Sequence, residues 1–435
     1  MAFNQEELRD AHGRWTTGGA YDALTVTKIL DGAETRPPGS KRNDEIAREL
    51  NARGSAALKA LGVPSGQILT PKKGEAANPK ETNVLSSAIA SEIEAEMVRG
   101  GKTAENWYTS KVDEAMKVAA VMHPEMANNP AARFGYTAAQ AITSQGETVP
   151  SNTRLADAAY DTFAKTGKFP TDVSSANQKM MNNGFQQLNG LIDHMGVKGT
   201  IDFLNKEFTV RDLEKLGYNV TGENKDAKVY GSAILGPKIG QGFYQNLNGN
   251  YKPLTADMWF MRSWGRLTGT LTGQVPLDKP TERFTQALKD AKQPVPKTDA
   301  AMRAKVDEIL TAHEKDFRDN RDQYDNGKKK KSEITFAADR LNEAWNGIKD
   351  QPSSGAQRQH MRDVFAEAQA KLAAAGHNMS TADMQATWWY PEKRLYSKLG
   401  GRATERINTD YATVLRDMAI KKGIPAEQID AAVKA

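Results

Sequence analysis

No cysteine occurs in the 435 residues. That excludes disulfides, thiol nucleophiles, zinc–thiolate centres and iron–sulfur clusters. Histidine is sparse: the six histidines stand at 12, 123, 194, 313, 360 and 377, without a pair at one-turn spacing. No metal or other cofactor is expected from that pattern. Long apolar runs are missing as well, and none approaches the ~18 residues that a membrane span requires. The opening MAFNQEELRD carries no apolar signal-peptide core. The reading is a cytoplasmic protein without a membrane partner. β-Branched runs are short and alanine is plentiful, which favours helices over strands.

Hydrophobic residues make up 39% and charged residues 26%, a soluble globular balance. The length suits two or three domains with a sizeable core. A net charge of +5 and a pI near 9.0 are compatible with a polyanionic partner.

Residues 1–80 read as an N-terminal arm, partly flexible, rich in glycine, proline and polar residues. One short helix is expected over 43–61, where Ile46, Leu50, Ala57 and Leu61 recur near helical spacing. The RDAHGRW opening resembles tags on phage-encoded proteins, which would place the protein in a bacterial host's cytoplasm. From residue 83 onward the pattern is helical: 84–98, 105–122, 134–144, a capped break near 148–151, a helix to 163, then 176–195, 197–208 and 211–219. The segment 278–372 is charged and helical, with lysines 328–331 read as a solvated loop. Further helices are expected over 332–348, 358–376, 380–400, 405–422 and 425–435. Ser380 and Asp383 form an approximate capping box ahead of Trp388, Trp389 and Tyr390, which stand beside Lys393 and Arg394. Those aromatics read either as core anchors or as a wall for an unpaired base.

The stretch 230–271 organises the rest. Gly236-Pro237-Lys238 is a tight turn, and nineteen positions after Lys238 comes Asp257, opening an aromatic helix. Taken singly, the two are a turn lysine and a helix-capping aspartate. Together, Gly236-x-Lys238 followed by Asp257 and, five residues on, Arg262 resemble the signature of the helix-hairpin-helix DNA glycosylase superfamily, nearest its 8-oxoguanine glycosylase branch. A second match, Ser144-Gln145 followed by Asn152, lies upstream in the family's order. The sequence departs from that pattern at Ile234, where the hairpin carries glycine, and at Trp259, where histidine is usual.

The resemblance implies an all-α, two-lobed helix-hairpin-helix glycosylase fold over 81–275; the helical region 276–435, read as packing on it, matches nothing in that family. It implies a bifunctional DNA N-glycosylase and AP lyase acting on DNA with a flipped-out base. Lys238 would be the nucleophile and Asp257 its electrostatic partner. Gln145, Ser144, Asn152, Gly236, Gly240 and Arg262 would contact DNA, while Phe243, Tyr244, Trp259 and Trp388 would line the base pocket. The chemistry has its own logic. Cleaving an N-glycosidic bond builds positive charge on the sugar, which a fixed carboxylate stabilises. A lysine with a lowered pKa can displace the base and form a Schiff base. Two alternatives stay open: a base-modifying transferase on the same scaffold, and a non-catalytic DNA-binding or virion-associated protein.

Overall fold

Alanine-rich amphipathic segments become eighteen α-helices in the computed structural model, which describes residues 25–72, 74–100, 106–175, 177–273, 277–325, 328–401 and 410–434. They begin with α1 (Val26–Gly32), α2 (Asn43–Ala60), α3 (Pro79–Gly100), α4 (Trp107–Met122), α5 (Pro130–Thr143), α6 (Val149–Thr166), α7 (Gln178–Asn205) and α8 (Val210–Lys215). Two three-residue strands, β1 (Glu207–Thr209) and β2 (Lys228–Tyr230), pair antiparallel with Phe208 opposite Val229. A 3₁₀ turn over Gly231–Leu235 and a π-helical turn over Ile239–Tyr244 lead into α9 (Gln245–Leu247), a loop, and α10 (Met258–Thr268). Then follow α11 (Asp278–Asp290), α12 (Asp299–Asp319), α13 (Arg321–Asp325), α14 (Glu333–Asn346), α15 (Gly355–Ala374), α16 (Thr381–Lys398), α17 (Tyr411–Lys421) and α18 (Ala426–Lys434). Among the described residues the protein is all-α apart from that two-stranded ribbon and an isolated bridge between Thr272 and Ile348. No helix among the described residues is long and apolar enough to cross a membrane.

Side-chain caps set many of the boundaries. Thr148 accepts the Ser151 amide and Ser380 accepts the Asp383 amide at 3.0 Å, so α6 and α16 start where the sequence signals placed them. Gly196, at φ 70° and ψ 172°, divides α7 at the expected break. Its left-handed φ ends one helical run and lets the chain restart another.

The described residues form four apolar cores. The largest joins α4 to α8, the turns after β2, α17 and α18, with Phe134, Tyr136, Phe163 and Phe185 at its centre. A second gathers α3, α10, α15 and α16 around Phe260, Trp264, Phe365 and Trp388. A third holds α1 and α2 against Trp259, Leu395 and Tyr396. The fourth belongs to α11, α12 and α14 alone, around Phe284, Val306 and Leu341.

The described part of the expected N-terminal arm packs against the rest of the molecule. Val26, Ile46, Leu50 and Leu58 are buried in the third and second cores, and Val63 and Ile68 follow them inside. Ile46 and Leu50 were the visible helical repeat, and burying each contributes about 1.5–3 kcal/mol. Residues 1–24 lie outside the described residues.

Candidate active site

Asp257 ends the loop before α10 in an extended conformation, φ −85° and ψ −179°. Its Oδ1 accepts the Phe260 amide at 2.8 Å, which caps α10 as the sequence predicts. A carboxylate there also faces the positive end of the helix dipole. Its field acts on four side chains from three other helices: Tyr108 at the start of α4, Tyr390 and Lys393 on α16, and Tyr411 at the start of α17.

Lys393 sits half-buried in an aromatic enclosure. Its ammonium lies 4.1 Å from the ring centre of Trp389, one turn back on α16, 5.4 Å from Tyr390 and 5.9 Å from Trp259. Trp389 and Tyr390 stack at 4.3 Å. Among the described residues the amine has no hydrogen bond or ion pair, so the rings supply its nearest attraction. Burial pushes Lys393 down to about 8, against the upward pull of Asp257. About one molecule in ten then carries a neutral amine at pH 7. Burial drives the Tyr108, Tyr390 and Tyr411 hydroxyls up, Tyr411 to about 12, so all three remain protonated donors near neutrality.

The support beneath this cluster is polar and satisfied in most of its parts. Asn152 donates to the Tyr411 hydroxyl at 2.8 Å and accepts from Thr143 at 2.6 Å. Behind α16, Glu92 of α3 accepts two bonds from Arg266, at 2.9 and 3.0 Å, one from Trp388 at 2.7 Å and one from the Val26 amide at 2.8 Å. Arg266 reaches Glu392 at 2.8 Å through its Nε. All three charges are fully buried, and burial raises the Glu392 carboxyl above its ordinary range.

Several expected DNA contacts are committed elsewhere. Arg262 is 4% exposed, forked onto Asp350 at 3.0 and 3.2 Å, and sandwiched against Trp259 and Tyr396. A guanidinium held this way is a core strut, and that corrects its assignment as a phosphate ligand. Asn152 is buried under Tyr411, and a side chain on Gly240 would overlap the Ser232 carbonyl, so neither presents a surface to DNA. Ser144 and Gln145 fold back on α5, donating to the Ala141 and Ile142 carbonyls. Tyr244 and Trp388 are fully buried and cannot line an open base pocket. Trp259 is nearly so, while Phe243 remains half-buried with its ring 6.1 Å from that of Tyr411.

Lys238 occupies a different setting from Asp257. It precedes the π-helical turn, after Gly236 at φ 101°, and lines a pocket with Glu223, Leu254, Ala256, Arg358 and Arg362. Asp257 is not part of that lining.

Lys393 is therefore the candidate residue that sequence reasoning passed over. The signal was present: Trp389 and Tyr390 fall four and three positions before it, on one helical face. Tyr108 and Tyr411 carry no local motif, and only packing brings them to Asp257. No family model, curated protein or solved structure matches the chain.

Proposed function

We propose that the protein is a DNA glycosylase with AP-lyase activity, working through Lys393 and Asp257 on a two-lobed scaffold of the helix-hairpin-helix glycosylase type. The observation that carries this reading is one half-buried lysine, lowered to about 8 inside an aromatic enclosure and within the field of a helix-capping carboxylate. The order of Gly236, Lys238 and Asp257 in the sequence, with a net charge of +5, supports DNA as the substrate.

In this mechanism the neutral Lys393 nitrogen attacks the sugar C1′ as the bond to the base breaks. The base leaves with that electron pair and takes up a proton. Asp257 stabilises the positive charge that grows on the sugar. Loss of the amine proton and ring opening give the imine, and removal of a C2′ proton then expels the 3′ phosphate. Trp389 and Tyr390 offer a stacked face to the extruded nucleoside. The protonated tyrosine hydroxyls serve as hydrogen-bond donors around it.

The test is borohydride trapping on duplexes containing 8-oxoguanine, uracil, a hydroxymethylated base or an abasic site. Wild type should give a covalent adduct and Lys393→Gln none. An adduct that survives Lys393→Gln but disappears in Lys238→Gln would move the chemistry to Lys238. Failure to trap any substrate, abasic DNA included, would end the lyase reading. A heavier nucleoside in place of released base would identify a transferase.

A further inference from the structure

We propose that the pocket between the Gly236–Lys238 turn and α15 binds a phosphate group, and, resting on the function above, that this is a phosphodiester of the bound strand. Arg358 and Arg362 stand one turn apart on α15, and both line the pocket opposite Lys238. Like charges at that spacing repel and weaken a helix, so their convergence calls for a compensating anion. Among the described lining residues Glu223 is the one carboxylate, and Arg362 already holds both its oxygens at 3.1 and 2.9 Å. The Glu223 side chain is 1% exposed and hydrogen-bonds Arg362, acting on Arg358 through its field.

Arg358 donates only to the Gly222 carbonyl at 3.2 Å, and Lys238 has no hydrogen bond or ion pair among the described residues. Burial, with Arg362 adding to it, depresses the Arg358 guanidinium below its ordinary value even though Glu223 opposes. Three cations against one anion leave a surplus of positive charge, walled by Pro237, Leu254, Ala256 and Met361. A low-dielectric wall strengthens attraction for an incoming anion. A phosphate has enough oxygens to accept the Arg358 fork and the Lys238 point charge together. Nothing in the sequence pairs these residues, since α15 lies more than a hundred positions beyond the turn.

The experiment uses the full chain and two probes, inorganic pyrophosphate and an abasic duplex. Pyrophosphate should raise the melting temperature of wild type, and that rise should be lost in Lys238→Gln and Arg358→Gln. Arg358→Lys, which keeps the charge, should recover part of it. For the duplex, the slope of log affinity against log salt should flatten by about one counterion in each Gln variant. Pyrophosphate protection with unchanged duplex slopes would keep the phosphate site but assign it to a free phosphate compound and not the strand. If neither probe distinguishes the variants from wild type, the proposal is overturned. The outcome is separable from the catalytic reading, because pyrophosphate protection does not depend on any adduct at Lys393.

Discussion

Lys393 carries charge in a place where burial disfavours it, and that has two measurable consequences. Its folded pKa of about 8 lies below the ordinary 10.5, so between those values the unfolded chain binds more protons. Stability should therefore rise with pH through that window, and below about 8 the full cost of the buried ammonium remains. Lys393→Met should stabilise the fold by roughly 1–3 kcal/mol at pH 7, with the gain shrinking as pH approaches 10.5. Urea denaturation at several pH values measures this, and a destabilised variant at neutral pH would show that the aromatic rings outweigh burial. The second consequence is kinetic. In the proposed mechanism adduct formation needs the neutral amine, so its rate should climb through about pH 8 and then level. Tyr390 lies 5.4 Å from the ammonium, and Asp257 pulls its pKa upward. Asp257→Asn removes the one group pulling Lys393 upward, so the kinetic midpoint should fall below that of wild type. An unmoved midpoint would separate Asp257 from the lysine.

Helices α10 and α16 hold the site, and their register depends on charges buried between them. Arg266 on α10 binds Glu92 and Glu392 with no solvent to share the load. Arg266→Met would strand two carboxylates in the core and should cost about 3–5 kcal/mol. Glu392→Gln, in contrast, removes a charge whose Oε1 has no partner and should change stability by less than about 1 kcal/mol. Chemical denaturation of the two variants checks this, and equal losses would mean that the network acts by shape and not by charge. Pro391 lies inside α16, between Tyr390 and the Glu392–Lys393 pair, and cannot donate the usual backbone bond there. Packing of Trp388, Leu395 and Tyr396 into two cores keeps that helix continuous across the proline.

At the scale of the whole molecule, the α11–α12–α14 lobe has its own core, and polar contacts tie it to the body. Arg42 reaches Asn342 at 3.4 Å, Arg318 reaches the Pro38 carbonyl at 3.3 Å, and the Gly273 amide bonds Gly347 at 3.0 Å. Amides of α12 should therefore exchange with solvent at a lower opening free energy than those of α5 or α10. Equal protection in native-state hydrogen exchange would show a single cooperative unit. The sequence by itself determined the helical class, the caps at Thr148, Asp257 and Ser380, and the break at Gly196, because each depends on residues within one or two turns. It also marked Asp257, since a capping aspartate before an aromatic helix is a local pattern. Tertiary structure alone decided Asp257's surroundings. The spacing rule paired it with Lys238, nineteen positions away, whereas folding sets it among Lys393, Tyr108 and Tyr411 and turns Arg262 inward onto Asp350. Those partners lie between 88 and 154 positions from the residues they meet (350−262 and 411−257), a range over which periodicity carries no information. Only the packing of α4, α10, α16 and α17 brings them together.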